Sequence, residues 1–256
     1  MAGEVLTLER KQNYAIITLN RPEKRNALNE AMLRALDDAI VTIENDKEIR
    51  AAIIRGNGGS FCSGLDLAEA EKLEGGHSPV GIERVFHKLE NVSVPTIAAM
   101  HGSALAGGCE LGLHCDLRIG AEDLRMGMTV ARVGLLVPYD FIRKLIEVIG
   151  AANTAQIIYT AEPVDAKRAL AMGMVHEIVP NAKLEEATVA LAQKISANAP
   201  LSLRTMKKSL RRNMSESNNA YHEDILEMGR MVRASKDAKE GIRAFLEKRK
   251  PNWTGE

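Results

Sequence analysis

A chain of 256 residues is long enough to bury a sizeable core, and it fits one large domain or one domain with a helical appendage. Its 34 Lys and Arg balance 34 Asp and Glu, and this zero formal net charge argues against bulk nucleic-acid binding or attachment to an acidic membrane, leaving only a local basic patch open. No apolar run approaches the ~18 residues that span a bilayer, the N-terminal MAGEVLTLERK lacks the charged-then-apolar order of a signal peptide, and the 3 cysteines lack metal-ligand spacing and an even count; we expect a cytoplasmic protein with small buried thiols and no metal.

In chain order, strand-like segments over 5–9 and 14–19 flank a polar stretch and predict a hairpin. The loop NRPEKRNALN follows, and Asn29 is a good N-cap for an amphipathic helix over 30–45, whose apolar residues Met32, Leu33, Leu36, Ile40 and Ile43 keep helical spacing. Lys24 and Arg25 beside that loop are either a solvated basic turn or phosphate binders. A buried strand over 51–55 runs into the turn cluster 56–60 and then Phe61-Cys62-Ser63-Gly64-Leu65-Asp66-Leu67. Here glycine turns the backbone sharply after a strand, either for packing or to leave the Leu65 N–H pointing at a ligand. A helix is expected over 80–91.

The stretch TIAAMHGSALAGGCELGLHCDLRIG, residues 96–120, is the one around which the chain is organised. A buried strand over 96–100 precedes Ala106-Gly107-Gly108-Cys109, residues with little or no side chain, where the backbone can approach a ligand closely. Glu110 then sits in the first turn of a helix over 107–114. Unpaired N–H groups and the positive helix end would stabilise an oxyanion there, and a carboxylate beside it would move protons. His101 and His114 flank the turn and are expected to be structural, and Cys109 is expected there because it is small. A strand over 115–119 leads to a long irregular connection over 126–139, a length that marks functional loops. Asp140 is expected to cap a helix over 141–149 that Gly150 ends. Helices over 151–159, 165–172, 184–197, 201–212, 217–234 and 236–248, with a last strand over 175–179, complete the chain. Ile225, Met228, Met231 and Val232 recur at helical spacing and call for a partner surface.

NRPEKRNALN, SFCSGLDL, IAAMHGSALAGGCELGLHCDLRI, VDAKRALAMGMVHEIVP and AFLEKRKPNW, in this order and nearly end to end, resemble the crotonase (enoyl-CoA hydratase/isomerase) superfamily. The resemblance implies an α/β fold: a spiral of repeated ββα units over 1–200 and a C-terminal helical trimerisation region over 201–256, assembled as a homo-oligomer, a trimer or a dimer of trimers. It implies an acyl-CoA thioester substrate, with coenzyme A part of that substrate and no separate cofactor, no nucleic acid and no membrane. The backbone N–H groups of Leu65 and Gly107 would form an oxyanion hole for the thioester oxygen of an enolate, in turns shaped by Gly64 and Gly108, with Glu110 as the catalytic carboxylate. Asn26, Ala27, Leu28, Asp66 and Leu67 would line the CoA path, Lys24 and Arg25 would lie near its phosphates, and Phe245 and Lys248 would reach CoA, often on a neighbouring subunit.

Two departures qualify that expectation. Hydratases of the common type hold one water between two glutamates, and Val130 stands where the second belongs. The glycine-rich turn that normally follows is replaced by Val137-Pro138-Tyr139-Asp140. This Pro-Tyr pair and the ending GIRAFLEKRKPNW resemble the methylmalonyl-CoA decarboxylase branch, in which Tyr139 would orient the departing carboxylate or a proton source; otherwise it is a packed loop aromatic. The expected activity is of the enoyl-CoA hydratase/isomerase type. The alternatives are a decarboxylase of a malonyl-type CoA thioester, or a non-catalytic protein of this fold that binds CoA esters or RNA.

Overall fold

The computed structural model describes residues 4–71, 81–216, 230 and 233–252. Nine strands are described: β1 Leu6–Arg10, β2 Tyr14–Leu19, β3 Ala51–Gly56, β4 Thr96–Met100, β5 Ser103–Leu105, β6 Leu117–Ala121, β7 Arg125–Gly127, β8 Val164–Asp165 and β9 Glu177–Val179. The helices are α1 Glu30–Asn45, α2 Leu67–Ala70, α3 Ile82–Asn91, α4 Gly107–Leu113, α5 Tyr139–Thr160, α6 Ala166–Met172, α7 Leu184–Ser196, α8 Pro200–Glu216 and α9 Lys236–Leu246. A six-stranded sheet has the order β1-β2-β3-β4-β6-β9, and a three-stranded sheet has the order β5-β7-β8. After the β1–β2 hairpin every neighbour in the larger sheet is parallel. From β4 on, the chain alternates between the two sheets, laying β4 and β6 in the larger one and β5 and β7 in the smaller, which is the expected α/β spiral of strand-strand-helix units.

The larger sheet is buried on both faces, which explains why its strands are apolar throughout. Ala15, Ile17, Ala52, Ile54 and Ala98 point into the main core with α1 and α3, while Ile16, Ile53, Ile97, Ala99 and Ile119 meet Leu184 and Ala192 of α7 on the other side. Helix α1 starts where Asn29 predicts: its side chain accepts the Met32 N–H. Helix α5 begins two residues earlier than expected. Pro138 is its N-cap, so Asp140 lies inside the first turn rather than capping it. Gly150, at φ 73° and ψ 162°, breaks α5 in the middle, and the chain resumes helix as far as Thr160. The expected helix over 217–234 falls almost wholly outside the described residues.

Helix α8 docks on this body through buried charge. Its first residue is Pro200. From α8, Lys207 and Arg211 grip the two oxygens of Asp116 at 2.6 and 2.7 Å, and Arg211 also reaches Glu90 of α3 at 2.7 Å. The same Glu90 oxygen, Oε1, also meets Lys144 of α5 at 2.5 Å. Asp116 further accepts the Thr96 N–H and hydroxyl at 2.8 and 2.9 Å, tying the network to β4. Burial alone raises the Asp116 carboxyl, yet Lys207 and Arg211 outweigh it and hold it below its ordinary range. Asp116→Ala leaves two cations buried without their carboxylate and should cost ~3–5 kcal/mol; the urea midpoint at fixed protein concentration checks this, and an unchanged midpoint would mean that α8 does not depend on the network.

Candidate active site

The loop before α1 is braced from inside. Arg25 and Asn26 both take left-handed backbone, at φ 50° and 55°. Asn26 is fully buried; its amide donates to the carbonyls of Asn57 and Ser60 at 2.9 and 2.8 Å, and its carbonyl oxygen accepts the Arg21 N–H. Its side chain is thus committed to holding the loop, while Lys24 and Arg25 remain exposed and form no ion pair among the described residues. Arg21, which the sequence did not single out, donates to the Ala27 carbonyl at 2.6 Å and to Asp66 at 3.0 Å. It clamps the two edges of the segment pair that carries Leu28 and Leu65. Leu67 opens the short helix α2 directly after Asp66.

Leu28 and Leu65 form an isolated parallel bridge. Its hydrogen bonds run from Leu28 N–H to the Gly64 carbonyl at 2.7 Å and from Asp66 N–H to the Leu28 carbonyl at 2.9 Å. This pattern uses the peptide groups on either side of Leu65 and turns its own N–H away from Leu28. Gly64, at φ 96°, makes the turn possible: a β-carbon there would stand 2.9 Å from the Leu105 carbonyl and 3.1 Å from the Gly107 nitrogen. The two glycine turns, more than forty positions apart in sequence, are thereby in contact.

Gly107 is the first residue of α4, where a helix leaves N–H groups unpaired. Ahead of it Ala106 sits at φ 49° and ψ −121°, a strained backbone for a residue with a β-carbon, held by a hydrogen bond from its N–H to the Gly127 carbonyl at 2.9 Å. Neither the Leu65 nor the Gly107 N–H has an acceptor among the described residues. Gly108 has a packing reason as well, since a β-carbon would lie 2.0 Å from the Cys62 carbonyl.

One turn into α4, Glu110 is only 5% exposed, and no hydrogen bond to its carboxyl is formed among the described residues. Burial, and after it the negative charges of Glu83 and Asp140, push its pKa up to about 8. His114, one turn on, donates from Nδ1 to the Glu110 carbonyl at 2.9 Å and lies between Phe86 and Phe141, at ring separations of 5.5 and 6.1 Å. Burial lowers its pKa, so it is a neutral structural imidazole, as expected. His101 donates from Nε2 to the Gly58 carbonyl at 2.9 Å and is structural too. The buried thiols of Cys62 and Cys115 are pushed up to about 12, and that of Cys109 is raised as well, which removes them as nucleophiles.

Tyr139 is half-buried at the first position of α5, with Asp140 exposed beside it. Val130 opens a short 3-10 helix, Val130–Val133, and packs against the main core. Helix α9 lies against that 3-10 helix. Phe245, 54% exposed, and Lys248, exposed at φ 55°, stand at the end of α9, and no hydrogen bond or ion pair among the described residues links them to the glycine turns of their own chain. Glu83, in the first turn of α3, is the other residue that the sequence did not reveal; its only advance signal is an acid at a helix start. Chemically, the arrangement offers two fixed donors for a developing negative oxygen and, beside them, a carboxyl able to exchange a proton near neutral pH.

A family model described as enoyl-CoA hydratase/isomerase matches residues 9–256. The short-chain-enoyl-CoA hydratase of Clostridium acetobutylicum is 34% identical over 248 residues, 95% of either chain. Among solved structures, methylmalonyl-CoA decarboxylase complexed with 2S-carboxypropyl CoA superposes with a TM-score of 0.91 at 30% identity, covering 100% of both chains. Carnitinyl-CoA hydratase from Mycobacterium avium gives 0.87 at 33% identity, again over 100% of both.

The raised Glu110 pKa has a consequence for stability. Between its ordinary value of 4.5 and about 8 the folded chain holds a proton that the unfolded chain has released, so this group's contribution falls as pH rises through that window. Glu110→Gln removes the cost of ionisation: the variant should match the wild type near pH 4.5 and exceed it by on the order of 2–4 kcal/mol at pH 9. Thermal unfolding at both pH values checks this, and an equal difference at the two would contradict it.

Proposed function

The chain belongs to the enoyl-CoA hydratase/isomerase family and is a crotonase-type enzyme acting on an acyl-CoA thioester, and from that premise we propose that the Leu65 and Gly107 N–H groups receive the thioester oxygen while Glu110 moves the proton at the acyl chain. The observation that carries this reading is the meeting of two unpaired backbone donors beside a buried, unpartnered carboxyl. As an enolate forms, charge collects on the thioester oxygen; each preorganised donor of this kind is worth ~2.7–4 kcal/mol of barrier. The neutral Glu110 carboxyl avoids repelling that charge and hands its proton to the α-carbon. Lys24 and Arg25 are free to meet CoA phosphates at the edge of the braced loop, and no cofactor beyond the substrate's own coenzyme A is needed.

A second reading, decarboxylation of a malonyl-type thioester, is favoured by two observations: Val130 supplies no second acid, and the full-length likeness to methylmalonyl-CoA decarboxylase is close. There, loss of carbon dioxide yields the enolate without a base, and Tyr139 would orient the departing carboxylate. Turnover separates the two. On a short 2-enoyl-CoA, Glu110→Gln should lower kcat by ~10²–10⁴ and Tyr139→Phe by a few-fold at most. A malonyl-type thioester as the preferred substrate, with Tyr139→Phe the more damaging change, would favour decarboxylation.

The enzyme is further proposed to work in the cytoplasm as a homo-oligomer, a trimer or a dimer of trimers. No helix among the described residues is long and apolar enough to cross a membrane. Exposed apolar side chains gather on α8, with Leu201, Met206 and Leu210 at 78%, 58% and 56% exposure, a surface suited to a second copy. Light scattering should give three or six times the chain mass; a stable, fully active monomer would contradict the proposal.

A further inference from the structure

Hydration needs a second group to hold and deprotonate water, and Val130 cannot be that group. On the footing of the enolate reading above, we infer that Glu83 is the second catalytic carboxylate, gripping the attacking water opposite Glu110.

The placement rests on how α3 crosses α4. The Ile82 Cδ1 stands 3.2 Å from where a β-carbon on Gly107 would be, so the residue before Glu83 walls the oxyanion turn. One turn further along α3, the Phe86 ring lies 5.5 Å from the His114 ring. These two contacts lay the first turn of α3, which carries Glu83, beside the turn of α4 that carries Glu110. Electrostatics agrees: of the two negative charges that raise the Glu110 carboxyl, Glu83 acts more strongly than Asp140. Glu83 is exposed and forms no ion pair or hydrogen bond among the described residues, so its carboxylate is free to bind water at the mouth while Glu110 stays buried.

The step balances with water alone. The water oxygen bonds to the β-carbon, Glu83 takes the proton it sheds, the π electrons move toward the thioester oxygen held by the Leu65 and Gly107 N–H groups, and Glu110 delivers its proton to the α-carbon. Glu83 then returns its proton to solvent and Glu110 regains one. The roles differ in a way that can be measured: water addition needs both carboxyls, whereas exchange of an α-proton on a saturated acyl-CoA needs only Glu110 and the two donors.

The test uses the full-length protein with a short 2-enoyl-CoA for hydration and the matching saturated acyl-CoA in D₂O for exchange, followed by NMR. Glu83→Gln should lower hydration kcat by roughly 10²-fold or more with little change in KM, while exchange stays within a few-fold of wild type. Glu110→Gln should lose both, and Asp140→Asn should lose neither. Wild-type hydration in Glu83→Gln, parallel loss of hydration and exchange in that variant, or loss of hydration in Asp140→Asn with Glu83→Gln intact would each overturn the inference. A wild-type protein that exchanges the α-proton yet hydrates no enoyl-CoA would overturn it as well, while sparing the oxyanion assignment; a wild type that does neither would overturn the enolate reading itself.

Discussion

The structure depends on a close approach of two backbone turns with no side chain between them. Gly64 stands so near Gly107 that a single β-carbon would press on its nitrogen. That approach requires β3 and β4 to lie in register as parallel neighbours, so that the turns leaving their ends reach the same side of the sheet. It also requires the Leu28–Leu65 bridge, which spends the neighbouring peptide groups and leaves one N–H over. The sheet thus serves as the ruler that brings two distant donors to one point.

Below that point the helices are joined by buried charge as well as by apolar packing. Glu90, Lys144, Asp116, Lys207 and Arg211 form a buried chain that ties α3, α5 and α8 to the segment after α4. Phe86, His114 and Phe141 pack beside it, and the first-turn acids Glu83 and Asp140 both act through their charge on Glu110. Buried ion pairs add little net stability compared with an apolar core of the same shape, but their fixed geometry orients what they join. Here they orient the helix starts that carry these acids.

How much of this could be seen in the sequence follows from the length of each signal. The segments 14–19, 30–45 and 96–100 come out as expected to the residue, because apolar patterning runs through their whole length and, at 30, a capping side chain marks the boundary. Strands β5, β7 and β8, of two or three residues each, are too short for any period and exist only because the spiral brings them together. The strand expected at 115 begins at 117, since Cys115 N–H still bonds back to Gly112 and Asp116 is taken by the charge network. Asp140 imitates a cap, but the helix already starts at Tyr139 with Pro138 in the N-cap position. The glycine turns and Glu110 were legible as local chemistry. Arg21 and Glu83 were not, because each acts through partners that only the packing of separate elements makes neighbours.

The methyl group of Ala106 gives the site a mechanical property. Glycine at φ 49° and ψ −121° would rest easily but would also wander among many conformations. Alanine reaches that conformation only under load, and only along a narrow path, so the peptide that follows it has little freedom to swing. In the oxyanion role proposed for it, a donor held this way has less entropy to lose when a negative charge arrives and less reorientation to perform, so the same strain that weakens the fold locally would sharpen the aim of the Gly107 N–H. The stiffness of one small side chain, with the Ala106 N–H bond to the Gly127 carbonyl, would ready this turn before a substrate is present.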